Sequence, residues 1–280
     1  KFIKSDSIQY IPFVKDRLIK LYIPIFISEA FLLIFVFIFG KHGSQNNLTP
    51  FPFFLQLATL INYTSSYSVV IVGPWWFLGA IIQLYFVFHL LMWGTKKFGN
   101  IFLLMISIFS IVTLLTLNDI LSQSIFLKKN IIGWLPEVAL GIYFVKSDKI
   151  NLSDLKAFLL SLLCLAVYIL GNIYDFFWYF SSFAILVFSV IVSHPILSLI
   201  HRYKSFNEFF DYIGKISVYM FLVNGIVREP IIELYCSPDS PVWIHSLCSL
   251  IILLLTFITA AVLMIIQEKF FFTKQSQAAV

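Results

Sequence analysis

The sequence predicts an all-α fold, a polytopic bundle of transmembrane helices. Three observations carry that reading. The 280 residues are 60% hydrophobic and only 12% charged, with a mean hydropathy of +0.94, whereas soluble domains are roughly half apolar and about a quarter charged. Apolar runs of near span length recur along the whole chain. Lysines and arginines gather in the short segments between those runs, as they do where cytoplasmic loops are positive.

Crossing the hydrocarbon core takes about twenty mostly apolar residues in a helix. Runs at 21–40, 75–94, 100–118, 131–146, 156–174, 177–194, 212–229 and 243–267 meet or approach that length, which predicts about eight spans. The run at 131–146 is short and contains Glu137. Residues 51–62 are apolar but reach only about half the needed length, which suits an interfacial or re-entrant segment.

Orientation follows from the basic residues. The N-terminal segment holds Lys1, Lys4, Lys15, Arg17 and Lys20. With that segment inside, the other inside loops carry Lys96 and Lys97, then Lys146, Lys149 and Lys156, then Arg202, Lys204 and Lys215, and finally Lys269 and Lys274. The opposite loops are poorer, and only Lys128 and Lys129 fall on the wrong side. This pattern places both ends of the chain in the cytoplasm, provided that 51–62 does not cross.

Trp75, Trp76, Trp93, Trp134, Trp178 and Trp243 all lie near the ends of these runs. They read as interfacial anchors, with Trp76 as the one candidate for a further role. Cys164, Cys236 and Cys248 show no metal-like spacing. Cys236 and Cys248 flank a loop and could be bridged, but an odd count without a framework argues against a disulfide scaffold. No basic cluster is interleaved with aromatics as in a nucleic-acid-binding face. No fixed-period repeat and no long linker are visible, so 1–280 reads as one integral membrane domain.

Polar groups inside the spans need a partner or a purpose. Helical geometry places Trp76, Gly79 and Gln83 on one face, and turns Tyr85 and His89 to another. Gln83 and Tyr85 are about 200° apart around the axis. Gly79 beside Gln83 suggests the close approach of another helix. Gln83 is then either an interhelical hydrogen-bonding group or a cavity residue, and His89 either structural or a substrate contact. Glu137 follows Pro136, and a carboxylate there is expensive unless paired or protonated. Arg17 and Lys20 share a face at the mouth of a span, as snorkelling anchors or as a site for a phosphate-rich ligand. Ser217 and Asn224 share a face of a late span and either join helices or line a cavity.

In this order the segments resemble the acyltransferase-3 family of membrane-bound bacterial O-acyltransferases. The family's Arg-x-x-Arg-Ile-x-Pro motif is similar to Arg17-Leu-Ile-Lys20-Leu-Tyr-Ile-Pro24. Its Trp-x-Leu-…-Gln-x-Tyr span is similar to Trp76-Phe-Leu78 through Gln83-Leu-Tyr85. Its Leu-Pro-x-x-x-x-Gly element resembles Leu135-Pro136 to Gly141, and its late Gly-x-x-Ser element resembles Gly214 to Asn224. Lys20 stands where the family has arginine, and Asn224 where it has histidine.

The resemblance implies about ten spans in the complete family fold, with a catalytic arginine–histidine pair on the first. The Arg17 motif would open the third span, so that pair is expected upstream of Lys1, and the domain at 1–280 is expected to be N-terminally incomplete. The resemblance also implies transfer of an acyl group, usually acetyl, from acyl-CoA to a sugar hydroxyl of a polysaccharide or lipid-linked glycan. Acetyl-CoA would be a co-substrate, with no permanently bound cofactor and no metal. Arg17 and Lys20 would hold CoA phosphates, while Trp76, Gln83, Tyr85, Glu137, Ser217 and Asn224 would line the cavity. The implied location is the bacterial inner membrane. Two other readings stand beside this one: a glycolipid or small-molecule transporter, and an inactive fragment of the acyltransferase.

Overall fold

The computed structural model describes residues 10–64, 70–121, 127–146, 154–200, 203–237 and 239–272. Their regular structure is helical: α1 (Tyr10–Phe39), α2 (Pro50–Leu57), α3 (Trp76–Phe98), α4 (Asn100–Leu121), α5 (Leu135–Lys146), α6 (Asp154–Gly171), α7 (Asp175–Ile200), α8 (Lys204–Tyr235) and α9 (Val242–Gln267). Each apolar run of the sequence falls in a helix, because the bilayer leaves a spanning backbone no other way to satisfy its own polar groups. Among the described residues five helices (α1, α3, α4, α8 and α9) are long and apolar enough to cross a membrane, and shorter apolar helices lie at Lys156–Gly171 and Phe180–Ser193. The chain is an all-α polytopic membrane protein.

One expected span differs in form. Residues 131–146 divide into a 3-10 turn, Ile131–Trp134, and the 12-residue α5. At 1.5 Å per residue α5 is about 18 Å long, short of the roughly 30 Å core.

The chain divides into two compact units, residues 11–82 with 210–280, and residues 1–10 with 83–209. In the first, the buried residues of α9 are Cys248, Ile252, Thr256, Ala260 and Leu263, a single stripe at helical spacing. Leu250, Leu254 and Ile258 on the same helix stay exposed, as side chains facing lipid do. The stripe meets Ile216, Tyr219 and Val223 of α8, with Ile27 and Phe31 of α1 packed against the same cluster. Ala260 is fully buried there, a small residue that lets helices approach closely. Pro24 lies inside α1 without ending it, as membrane helices tolerate where neighbouring groups satisfy the freed carbonyl.

In this unit residues 44 and 47 meet residues 71 and 70. Ser44 Oγ donates to the Ile71 carbonyl at 2.8 Å, and Asn47 Nδ2 donates to the Val70 carbonyl at 2.8 Å. The chain therefore leaves near residue 47 and returns near residue 70 at one end of the unit. The half-length helix α2 lies between those two points in the chain.

The second unit is built on Leu91 and Met92 of α3, Leu103 of α4, and Ala139 and Ile142 of α5. The turn before α5 is held from two sides. Gln83 of α3 grips Asn130 and Ile131, and Ser110 Oγ of α4 donates to the Ile132 carbonyl. A Cβ on Gly133 would stand 2.9 Å from the Lys128 carbonyl oxygen, so the turn closes only around glycine.

Candidate functional site

In the unit formed by residues 11–82 and 210–280, Arg17 and Lys20 lie near the start of α1. The guanidinium of Arg17 sits 5.6 Å from the centre of the Phe13 ring, one turn back. Lys20 Nζ lies 2.9 Å from Asp16 Oδ2, also one turn back. Both partners of that pair are exposed, so the bond is weak and a stronger anion can displace it. Lys20 is therefore exposed, with Asp16 competing for it, while Arg17 is half-buried.

Trp76 opens α3 and is half-buried, edge-on to Phe77 at 5.9 Å; Phe77 in turn meets Phe221 of α8 edge-on at 5.6 Å. Its neighbour Trp75 departs from the anchor reading. Trp75 is 1% exposed, and its indole N–H donates to the Leu222 carbonyl at 2.9 Å. That bond satisfies a carbonyl of α8 inside the protein, so Trp75 is a core residue. Trp93 and Trp243 are exposed, as anchors should be. Trp178 is a residue whose side chain lies outside the description.

Ser217 is exposed, and its hydroxyl donates to the Gly214 carbonyl of its own helix at 2.8 Å. Asn224, seven residues on, is half-buried. A Cβ on Gly214 would meet nothing within 4 Å, and the same holds for Gly141 on α5. These two motif glycines are therefore not required by packing among the described residues.

The same unit holds a polar group that the sequence reading passed over. Glu29, near the middle of α1, is 3% exposed, and Gln56 of α2 is 1% exposed. Gln56 Nε2 donates to Glu29 Oε1 at 3.1 Å, and Gln56 Oε1 accepts the Val72 N–H at 2.9 Å. Glu29 Oε2 is buried without a hydrogen-bond partner. The rule that singled out Glu137, an ionisable residue within an apolar run, applies equally to Glu29.

At one end of this unit two carboxylates of α8 meet the 3-10 turn Gly43–Asn47. Glu233 accepts the Gly43 N–H at 2.5 Å, and Glu229 accepts the Ser44 N–H at 3.4 Å while pairing with Arg228 at 3.1 Å. His42 Nδ1 lies 3.4 Å from Glu233, and Nε2 lies 3.1 Å from the Phe39 carbonyl. Nε2 is thus within hydrogen-bond reach of a carbonyl, whereas Nδ1 is buried without a hydrogen-bond partner.

In the unit formed by residues 1–10 and 83–209, Gln83 is hydrogen-bonded through both ends of its amide. Its Nε2 donates to Asn130 Oδ1 at 2.7 Å, and its Oε1 accepts the Ile131 N–H at 2.7 Å. Gln83 therefore ties α3 to the turn before α5. Tyr85 is half-buried. Glu137 occupies the first turn of α5, where unpaired N–H groups and the helix dipole favour a carboxylate. Its Oε2 is buried without a hydrogen-bond partner. His89 is exposed, with its ring 5.5 Å from that of Tyr10. Lys129, in the turn that the charge pattern puts on the wrong side, is half-buried, and desolvation holds its ammonium below the ordinary lysine range.

Cys236 and Cys248 are in side-chain contact as thiols, and Cys164 is also free. Among the described residues no group of three His, Cys, Asp or Glu could hold a metal ion. The model of the family described as "Acyltransferase domain", acyltransferase-3, matches residues 5–266 of the 280. No curated protein and no solved structure matches the chain.

Proposed function

Since the chain belongs to the acyltransferase-3 family, we propose that this membrane acyltransferase moves an acetyl group from acetyl-CoA to a sugar hydroxyl. The acceptor is a cell-surface polysaccharide or a lipid-linked glycan, and the site is the bacterial inner membrane. The observation that carries the reading is the reach of the match, which runs through both units and includes every motif segment from Arg17 to Asn224. In the reaction the hydroxyl oxygen bonds to the acyl carbon, the thioester C–S bond breaks, and the hydroxyl proton ends on the CoA thiol. A base and oxyanion donors are needed for those steps.

Arg17 is the residue assigned to the CoA phosphates. Its planar fork suits phosphate oxygens, and Phe13 holds it from behind. Lys20 adds a point charge once a phosphate displaces Asp16. Trp76, Tyr85, Glu137 and Asn224 are proposed as cavity residues. Gln83 and Ser217 are proposed for the same role, each also making a hydrogen bond within the protein.

The test is transfer of radiolabelled acetyl from acetyl-CoA into glycan by membranes that contain the intact protein. Arg17→Ala should raise the KM for acetyl-CoA by on the order of tenfold or more, as loss of a charged hydrogen bond implies, while leaving protein levels unchanged. Unchanged acetyl-CoA kinetics would remove Arg17 from the donor site. Movement of a glycolipid across the membrane without acylation would replace the whole reading by transport.

A further inference from the structure

In the unit formed by residues 1–10 and 83–209, a cleft of about 700 Å3 lies between α4, α5 and α7. Its lining includes Leu104, Ser107, Ile108, Ala139, Tyr143 and Phe183, so it is almost wholly apolar. Leu104 and Ile108 are each more than half exposed. The cleft therefore opens sideways, toward whatever surrounds these helices. For helices of this composition that medium is hydrocarbon, and an occupant enters from the bilayer rather than from water.

One end of the cleft is marked by Asn100 and Tyr143. From Asn100 the lining of α4 continues to Ile111, a length of about 16 Å along the axis. Three basic residues cluster just past the Asn100 end. Lys96 and Lys97 occupy the last turn of α3, and Lys146 the last turn of α5. Leu91 and Met92 pack level with Leu103, Ala139 and Ile142, so the three lysines, each about one turn farther on, lie at the same end. Lys97 also has aromatic support there: its ammonium lies 5.2 Å from the ring centres of Trp93 and Phe98.

An apolar trough about 16 Å long that ends at three ammonium groups fits an alkyl chain carrying an anionic head. We propose that an anionic phospholipid of the bilayer binds here, its chain along the cleft and its phosphate among Lys96, Lys97 and Lys146. This inference goes beyond acyl transfer and does not depend on it, because its test reads lipid retention alone.

The intact protein in mild detergent is exposed to equal amounts of phosphatidylglycerol and phosphatidylcholine, and bound lipid is read by native mass spectrometry. Phosphatidylglycerol should be retained preferentially. Replacing Lys96, Lys97 and Lys146 together by Gln should reduce that preference on the order of tenfold or more. Ser107→Phe fills the cleft without altering charge and should lower retention of phosphatidylglycerol; Leu254→Phe, on the exposed face of α9, should not. If Ser107→Phe fails to fold, Ile108→Trp at the exposed lip serves in its place. Equal retention of the two lipids, or retention undiminished by a folded cleft-filling variant, overturns the proposal. So does displacement of phosphatidylglycerol by an equal amount of a polyprenyl phosphate.

Discussion

Glu29 shows how much a single residue can organise. Its Oε1 accepts from Gln56, and Gln56 in turn accepts the Val72 N–H. One side chain on α1 thus fixes α2 and the strand-like approach to α3. Glu29→Leu would leave the buried Gln56 N–H groups without that acceptor, at a cost of about 1–3 kcal/mol. Glu29→Gln retains an acceptor oxygen and should cost less. Thermal unfolding in detergent should rank the native protein above Glu29→Gln, and Glu29→Gln above Glu29→Leu. A Leu variant as stable as the native protein would show that this bond contributes nothing. Glu29 went unremarked in the sequence although it is a carboxylate within an apolar run, and its partner carries no local signal because Gln56 lies 27 residues away. Trp75 and Trp76 make the same point. Side by side they look alike, and only the carbonyl of Leu222 on another helix distinguishes a core indole from a half-buried one.

At the scale of elements, α3 illustrates what a small residue licenses. A Cβ on Gly79 would lie 2.6 Å from the Thr59 backbone carbonyl oxygen and 2.4 Å from Asn62 Oδ1. The side chain of Asn62 could turn aside; the carbonyl cannot without moving the turn that follows α2. Gly79→Ala should therefore unseat residues 59–62 from α3 and destabilise the protein by about 1–3 kcal/mol, the range for overpacking. Gly141→Ala, where a Cβ meets open space, should be neutral or slightly stabilising in a helix. Limited proteolysis near residue 63 and melting in detergent would compare the two, and equal behaviour would contradict the close approach. The sequence anticipated a close neighbour at Gly79 but described it as another helix. The neighbour is the end of the half-length segment, a contact that hydropathy cannot register.

For the molecule as a whole, the helices were legible because the bilayer imposes one rule on every apolar run, and residues 21–40 or 243–267 obey it without help from distant contacts. The segment at 131–146 was less legible, since its first residues are held as a turn by Gln83 and Ser110 from two other helices. Orientation is a separate matter, carried by the lysines and arginines. It leads to a last prediction, made in a background where Cys164, Cys236 and Cys248 are serine. If the basic segments face the cytoplasm, Lys96→Cys and Lys204→Cys should resist a membrane-impermeant thiol reagent applied to intact cells, and Lys41→Cys should react. Val70→Cys then discriminates further. Its carbonyl is bonded to Asn47 and its neighbour's to Ser44, so it should react from the same side as Lys41→Cys. Labelling of positions 41 and 70 from opposite sides would mean that residues 48–69 cross the membrane. Every later span would then be inverted, and the lysines at 96, 146 and 204 would lie outside, against the positive-inside rule.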